Sequence, residues 1–241
     1  MPAEQPTILA TSGGFRAGRR TSLEFGDLVR FAVELSGATG RPRLLHVGTA
    51  NGDQRFFNAH LSEAGQVAGW DVAHLNLFTM PPVDDVASFV LEHDVVWVGG
   101  GSVANLLAVW RVHGLGPVFR RAWEAGVVLG GVSAGAICWY EGGVTDSFGP
   151  ELRVVRDGLG FLPYGSGVHL DSEPARRPAV RAAVGGGELP VTHCTDDGAG
   201  LLYRGVELVE AVAERDGAGA CVVRPDGSGG VVEEALDVRR L

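Results

Sequence analysis

The sequence contains no lysine, so all 20 of its basic residues are arginines. Without a lysine amine the chain can form no Schiff base with a carbonyl substrate and no Ser–Lys dyad. It also lacks the phosphate-binding lysine of the P-loop. Pyridoxal-phosphate enzymes and P-loop nucleotidases are therefore excluded as function classes.

Cysteine is scarce as well, and long apolar runs are missing. Cys138, Cys194 and Cys221 are widely spaced and form no CxxC motif, so we expect buried free thiols rather than a zinc or redox site. No metal or other cofactor is indicated. No stretch approaches the roughly 18 apolar residues of a membrane span. Residues 1–11 lack a basic leader with an apolar run behind it, which predicts a cytoplasmic protein without a signal peptide.

Positive charge is outweighed by negative charge, and the formal net charge is −9. This balance argues against a general nucleic-acid binder, because phosphate contacts need a positive surface. Apolar residues at 45% and charged residues at 20% are ordinary for a globular protein. We see no repeat, charge block or linker, and the length predicts a single domain over residues 1–241. A homodimer is left open.

Short β-branched runs alternate with amphipathic stretches over the first 145 residues or so. This alternation predicts an α/β fold, a three-layer sandwich with a mostly parallel central sheet and helices on both faces. Strands are predicted at Thr7–Thr11, Arg43–Thr49, Trp70–Leu77, Asp94–Val98 and Gly126–Val132. Helices are predicted at Leu23–Leu35, Asp53–Ala68, Val86–Glu92, Val103–Val112 and Val118–Glu124.

The sequence pattern changes after Gly142, where short segments rich in β-forming residues are separated by Gly, Asp and Pro. We expect these segments to be antiparallel strands that extend or flank the sheet. They are Thr192–Thr195, Gly200–Tyr203, Leu208–Val212, Ala220–Val223 and Val231–Glu234.

Glycine-rich loops follow three of the predicted parallel strands. They are Ser12–Phe15, Gly99–Ser102 and Gly131–Ala136. Ligands of such sheets bind beyond the carboxyl ends of the strands. The three loops therefore predict one site at one edge of the sheet.

The strongest chemical signal is the run VVLGGVSAGAICW over Val127–Trp139. An apolar strand leads directly into a GxSxG sequence centred on Ser133, and a helix of small residues follows. A nucleophile elbow needs this order, because the serine occupies a sharp turn and the glycines allow the backbone to approach closely. The sequence therefore predicts that Ser133 is the nucleophile of a serine hydrolase.

A serine nucleophile needs a base, an orienting carboxylate and donors for the oxyanion. His169, in a loop-like run, is the predicted base, and His193 at the start of a predicted strand is the alternative. Asp146 is the predicted carboxylate. Four other acidic residues stay open for this role: Glu141, Asp171, Glu173 and Asp197.

The predicted oxyanion donors are the amide of Ala134, which follows the nucleophile, and an amide of the Gly99–Ser102 turn. This GGGS turn does not match a phosphate-binding motif, since the GxGxxG spacing and the lysine are both absent. The order serine, aspartate, histidine is that of α/β-hydrolases. Those enzymes, however, place the histidine near the end of the chain, and His169 is not there.

Together these residues resemble the peptidase E family of serine peptidases, which includes the aspartyl dipeptidases and has cyanophycinase as a relative. The resemblance rests on the runs VVWVGGGSVANLL (Val95–Leu107), GVSAGAICW (Gly131–Trp139), VTDS (Val144–Ser147) and GLGFLP with VHLDSEP (Gly158–Pro174). It implies a fold like that of class I glutamine amidotransferases, with serine in place of cysteine.

The resemblance also implies roles for particular residues. Ser133 matches the nucleophile, His169 the general base and Asp146 the third member, while Gly100 and Gly101 complete the oxyanion hole. The implied activity is hydrolysis of short peptides from the free amino end, without metal or cofactor.

The sequence departs from the aspartyl dipeptidases just after the histidine. Those enzymes have a Glu-Thr-Arg run whose arginine is associated with the substrate aspartate, whereas this chain has Glu173-Pro174-Ala175-Arg176. Glu173 is expected to pair with the substrate ammonium, and Arg176 to reach the site from a shifted position. A broad aminopeptidase or dipeptidase is therefore expected. The alternatives are a strict aspartyl dipeptidase, a cyanophycinase-like hydrolase and a non-catalytic binding protein on the same scaffold.

Overall fold

The computed structural model describes residues 3–241, so the first two residues of the N-terminal segment discussed above lie outside the described part. Helices are α1 (Asp27–Leu35), α2 (Arg55–Ala68), α3 (Val86–Leu91), α4 (Val103–Val112), α5 (Leu115–Glu124), α6 (Ala134–Ile137) and α7 (Arg176–Gly185).

Strands of the first half are β1 (Thr7–Thr11), β2 (Phe15–Ala17), β3 (Leu23–Phe25), β4 (Arg43–Val47), β5 (Asp71–His74), β6 (Val95–Val98) and β7 (Val128–Val132). Strands of the second half are β8 (Tyr140–Thr145), β9 (Arg153–Val155), β10 (Leu162–Gly167), β11 (Thr192–Thr195), β12 (Ala199–Arg204), β13 (Glu207–Ala213), β14 (Ala220–Pro225), β15 (Val231–Ala235) and β16 (Val238–Arg240).

The larger sheet has eight strands in the order β16-β13-β12-β1-β7-β6-β4-β5. Five adjacent strands of this sheet are parallel to one another, namely β1, β7, β6, β4 and β5. Strand β12 pairs antiparallel with β1, and β13 pairs antiparallel with β12. The predicted mixed α/β fold with a largely parallel sheet is confirmed, and its carboxyl ends lie at one edge.

Successive residues of the central strands face opposite sides of this sheet, as the two-residue period of a strand requires. In β6, Val96 and Val98 enter one core cluster, whereas Val95 and Trp97 enter the other. Helices α3 to α6 contribute to the first cluster, and α1 and α2 to the second. Each fully buried side chain of this kind contributes about 1.5–3 kcal/mol to folding. The sheet is thus covered by helices on both faces.

Six further strands form a second sheet in the order β15-β14-β11-β10-β8-β9. Antiparallel strands were predicted after Gly142, and that prediction is wrong for two of them, since β13 in the larger sheet also pairs parallel with β16. Strand β11 pairs parallel with β10, and β10 pairs parallel with β8. Helix α7 lies between β10 and β11 and provides the crossover that a parallel pair needs.

A buried polar contact joins the two sheets. The Tyr203 hydroxyl in the larger sheet is hydrogen bonded to the Tyr140 hydroxyl in the second sheet, with 2.9 Å between the two oxygens. The same hydroxyl lies 2.7 Å from Nδ1 of His193, also in the second sheet. All three side chains are buried. Their hydrogen bonds are satisfied only when the two sheets are docked.

Several element boundaries differ from the sequence-based ones. The predicted helix Leu23–Leu35 begins as strand β3, which pairs with β2, because Gly26 is extended (φ −73°, ψ 177°) and the helix starts only at Asp27. Cys138, Cys194 and Cys221 are buried free thiols, as expected. Over residues 3–241 no helix combines the length and apolar character of a membrane span.

Candidate functional site

Ser133 lies on a tight turn between β7 and α6. Its backbone has φ 58° and ψ −115°, a region that non-glycine residues rarely adopt and that costs about 1–3 kcal/mol. The turn is held by hydrogen bonds, from the Ser133 amide to the Thr11 carbonyl (3.0 Å) and from the Ile137 amide to the Ser133 carbonyl (2.9 Å). The predicted strand–turn–helix geometry is therefore present at Ser133.

The flanking glycines are required by close backbone packing. A Cβ on Gly131 would lie 2.4 Å from the Gly135 carbonyl oxygen, and a Cβ on Gly135 would lie 2.2 Å from the Val98 carbonyl oxygen. Both distances are far inside van der Waals contact. Only glycine at these two positions lets α6 start directly against β6 and β7.

The Gly99–Ser102 loop lies beside this turn. A Cβ on Gly100 would be 3.4 Å from Ser133 Cβ and 4.0 Å from Ser133 Oγ, so the Gly100 backbone faces the serine. Gly101 has φ 134°, and a Cβ at this position would lie 2.3 Å from the Ala50 carbonyl oxygen. Ser102 caps helix α4 by accepting a hydrogen bond from the Asn105 amide (3.2 Å). The structure thus brings Ser133, Ala134 and Gly100 together.

His169 follows β10, on a second turn with positive φ (59°). Its amide donates to Ser12 Oγ (3.3 Å), and its ring Nδ1 is hydrogen bonded to Asp197 Oδ1. Asp197 is in turn fixed through its backbone: its amide donates to Asp171 (2.8 Å), and its carbonyl accepts from Arg215 (2.6 Å). The imidazole therefore has one firmly held carboxylate partner.

The prediction that Asp146 orients His169 is not what the structure shows. The Asp146 carboxylate is 59% exposed and faces the Arg176 guanidinium at 3.6 Å. The carboxylate on the His169 ring belongs to Asp197, which was one of the open alternatives. The alternative base His193 is a core residue bonded to Tyr203, and burial lowers its pKa to about 4.

The predicted substrate contacts of Arg176 and Glu173 also change. Arg176 is 3% exposed and donates to the Glu173 carboxylate (2.6 Å) and to the Val144 carbonyl (3.1 Å). Its guanidinium is fully engaged inside the protein, so it is not positioned to read a substrate side chain. Glu173 lines the cavity described next, but its carboxylate is occupied by Arg176.

A cavity of about 690 Å³ lies in front of His169 and Asp197. It is lined further by charged side chains: Arg16, Asp27, Glu173, Glu214 and Arg215. The Ser133 turn and the His169 turn both lie at the end of β1, because two consecutive residues there contact one turn each. Thr11 bonds to Ser133, and Ser12 bonds to His169.

Ser12 was predicted only as part of the Ser12–Phe15 loop, and Asp197 was one of four open alternatives for the orienting carboxylate. Asp197 follows strand β11, and β11 lies beside β10, which leads to His169. The parallel pairing therefore puts both residues at one sheet edge. The signal that could have found Asp197 is the Asp-Asp-Gly turn directly after a buried strand.

A buried polar layer lies beneath the Gly99–Ser102 loop. His46 and His74 contact each other through their Nδ1 atoms (3.4 Å), and burial lowers the pKa of His46 to about 3 and that of His74 to about 4. Asp53 accepts hydrogen bonds from the Leu77 and Phe78 amides, and burial raises its pKa. Within residues 3–241 no group of three or more His, Cys, Asp or Glu side chains is arranged to hold a metal ion.

Comparisons with known proteins agree with this architecture. The model of peptidase family S51 matches residues 8–210. The uncharacterized peptidase YgaJ of Bacillus subtilis (strain 168) is 42% identical over 180 residues, which cover 75% of this chain and 77% of the relative.

Two crystal structures share the fold at 15% sequence identity. A peptidase from an acI-B1 actinobacterium aligns with a TM-score of 0.68 over 99% of this chain and 96% of its own. A protein of Listeria monocytogenes EGD-e assigned to peptidase E aligns with a TM-score of 0.61 over 96% of this chain and 98% of its own. Fold and family match together define a hydrolase of the serine peptidase class. The chain belongs to peptidase family S51.

Proposed function

We propose that the chain hydrolyses short peptides from their free amino end through an acyl-enzyme on Ser133, with His169 as general base and Asp197 as its orienting carboxylate. The observation that carries this proposal is the hydrogen bond between His169 and Asp197 at the strand end that also holds the Ser133 turn. A base fixed by a carboxylate, at the same strand end as a serine on a strained turn, is the arrangement expected of a serine hydrolase.

The proposed reaction proceeds in two acyl-transfer steps. Ser133 Oγ attacks the peptide carbonyl while His169 takes its proton, and the same proton then passes to the leaving amine. Water attacks the resulting ester with His169 again as base, which releases the acid and regenerates the serine. The amide of Ala134 and the Gly100–Gly101 turn are the proposed donors to the oxyanion.

The burial of Arg176 supports a broad side-chain preference. In a strict aspartyl dipeptidase an arginine would read the aspartate side chain, but Arg176 is engaged by Glu173 and Val144. The charged wall of the cavity, with both arginines and carboxylates, suits a peptide that carries its own two terminal charges.

A peptide panel on the wild-type protein tests the proposal. Aminoacyl p-nitroanilides and dipeptides with free amino termini should be cleaved, and their N-acetylated counterparts should not. An alkyl fluorophosphonate should label wild type once, at Ser133, and should leave Ser133→Ala unlabelled. Cleavage restricted to N-terminal aspartate would replace the broad reading by an aspartyl dipeptidase. Absence of both labelling and cleavage would favour a non-catalytic protein.

A further inference from the structure

The segment Val144–Ser147 links the two halves of the site. At one end, Ser147 Oγ accepts a hydrogen bond from the Ala104 amide (3.4 Å), in the first turn of α4 just after the Gly99–Ser102 loop. Within the segment, the Thr145 and Ser147 hydroxyls lie 2.8 Å apart, and the Ser147 amide donates to Thr145 Oγ1 (3.1 Å). The segment is thus locked to the loop that faces Ser133.

Arg176 ties the same segment to the turn that carries His169. One guanidinium nitrogen donates to the Val144 carbonyl (3.1 Å). The other two hold the Glu173 carboxylate in a two-pronged contact (2.6 and 3.2 Å). The Glu173 amide in turn donates to the His169 carbonyl (3.1 Å), so the fork clamps the far end of the His169 turn.

Burying a guanidinium is expensive unless it is paired and its donors are satisfied. Here three partner residues come from two places in the chain: Val144 and, at 3.6 Å, Asp146 from one segment, and Glu173 from the other. A planar fork with five donors can serve all three at once, whereas a lysine ammonium is a single point of charge. The site therefore requires arginine by geometry and not by charge alone.

We propose that Arg176 is a positioning residue that fixes the His169 turn relative to the loop beside Ser133, acting through Glu173 and Val144–Ser147. This inference rests on the proposed peptidase function. It assigns VTDS a bridging role in place of the catalytic role that the sequence suggested for Asp146. It also separates Arg176 from substrate binding.

Kinetics of Arg176→Met and Arg176→Lys test the proposal, with Arg181→Met as the matched control. Arg181 lies on the same helix, is half-exposed and contacts Glu233 and the Val231 carbonyl outside this clamp. Because small displacements of catalytic groups can cost about 100-fold in rate, we expect kcat of both Arg176 variants to fall about 10- to 100-fold. KM for an aminoacyl p-nitroanilide should change less than about twofold, since Arg176 does not touch substrate. Arg181→Met should match wild type.

Two kinetic results would overturn the inference. A rise in KM at unchanged kcat would place the guanidinium on the substrate. Wild-type kcat in folded Arg176→Met or Arg176→Lys would leave the clamp without a catalytic consequence. Circular dichroism establishes folding. If Arg176→Met does not fold, Ser147→Ala takes its place, because it removes the hydrogen bond that links the clamped segment to the Ala104 amide. Its kcat should fall about threefold or more at constant KM, and wild-type kcat in this variant would overturn the inference.

A spectroscopic measurement keeps this inference separate from the peptidase proposal. The Nδ1 proton of His169, hydrogen bonded to Asp197, should give a downfield proton NMR signal that His169→Gln removes. That signal should shift or broaden in Arg176→Met and stay unchanged in Arg181→Met. An unchanged signal in Arg176→Met would contradict the clamp whether or not any peptide is cleaved. A changed signal in a protein that cleaves nothing would uphold the clamp and reject the peptidase mechanism.

Discussion

The turns at Ser133 and His169 both have a positive φ angle but different means of support. Their φ angles are 58° and 59°, and both turns contact the end of β1. The Ser133 turn is built from neighbours in sequence, with glycines on either side and a helix directly after it. The His169 turn is held by residues distant in sequence, among them Ser12 and Asp197.

This difference explains why the Ser133 turn can be identified from a sequence motif and the His169 turn cannot. Local steric demands leave a fixed pattern of small residues, which a reader of the sequence can find. Support from distant residues leaves no spacing rule, because each partner is placed by strand pairing. Variants of each turn show whether the two turns depend on each other in catalysis and whether they differ in their tolerance of substitutions.

The largest expected effect is on catalysis when either turn loses its reactive side chain. Ser133→Ala and His169→Ala should each lower kcat by about four orders of magnitude or more, because nucleophile and base act as one unit. For the same reason the double variant should lose little beyond either single one. Steady-state and single-turnover rates on one chromogenic substrate measure this. Additive losses would show that the two turns do not cooperate.

The next effect separates the two aspartates. Asp197→Asn should lower kcat about 10³-fold or more, since the amide no longer holds the imidazole as the carboxylate does. Asp146→Asn should cost about threefold or less, because this exposed carboxylate makes only a 3.6 Å contact with Arg176. Parallel kcat measurements decide the order. A larger loss for Asp146→Asn would restore the sequence-based assignment.

Structural tolerance should differ between glycines of the two turns. Gly135→Ala places its methyl against the Val98 carbonyl and should cost about 3 kcal/mol of unfolding free energy. Gly167→Ala meets the Cys194 side chain at 2.8 Å, which can shift, and should cost about 1–2 kcal/mol.

Gly40→Ala is the control for both variants. Nothing lies within 4 Å of a Cβ at this position, and the free energy should change by less than about 0.5 kcal/mol. Urea unfolding gives all three values. Equal costs at positions 135 and 167 would contradict the distinction between backbone and side-chain packing.

The last effect is spread over several pH units and concerns stability against acid. Burial lowers the pKa of His46 to about 3 and those of His74 and His193 to about 4. Between about pH 6.5 and 4 the unfolded chain therefore binds protons that the folded chain does not, so stability falls as the pH falls. Each histidine contributes up to about 1.4 kcal/mol per pH unit.

A variant isolates this contribution from other titrating groups. Burial raises the pKa values of Asp53 and Glu214, and these carboxyls act in the opposite direction. His193→Gln should flatten the slope of unfolding free energy against pH by about one histidine's share, as measured by urea unfolding at several pH values. An unchanged slope would mean that His193 is charged inside the folded protein.

The predictable parts of the molecule are those in which local pattern and fold agree. Thr7–Thr11 and Val103–Val112 were predicted with their observed limits, since buried runs and helical spacing identify them. The boundary at Gly26 was missed because the β2–β3 hairpin competes with the helix for Leu23–Phe25.

The parts that were not predictable depend on pairing between distant strands. The parallel pairing of β10 and β11 puts Asp197 beside His169, and no spacing in the sequence encodes that neighbour. Arg176 was expected from the sequence to reach the substrate, yet Glu173 and Val144 enclose it. For such residues the partner, not the residue type, decides the role.

The shared hydroxyl of Tyr203 has a consequence for how the molecule comes apart. If the second sheet separated from the first, the Tyr203 hydroxyl would lose its hydrogen bonds to Tyr140 and His193 together, and each such bond contributes about 0.5–1.5 kcal/mol. Partial detachment is thus penalised more heavily than the loss of apolar contacts alone would suggest. The two sheets should melt in a single transition.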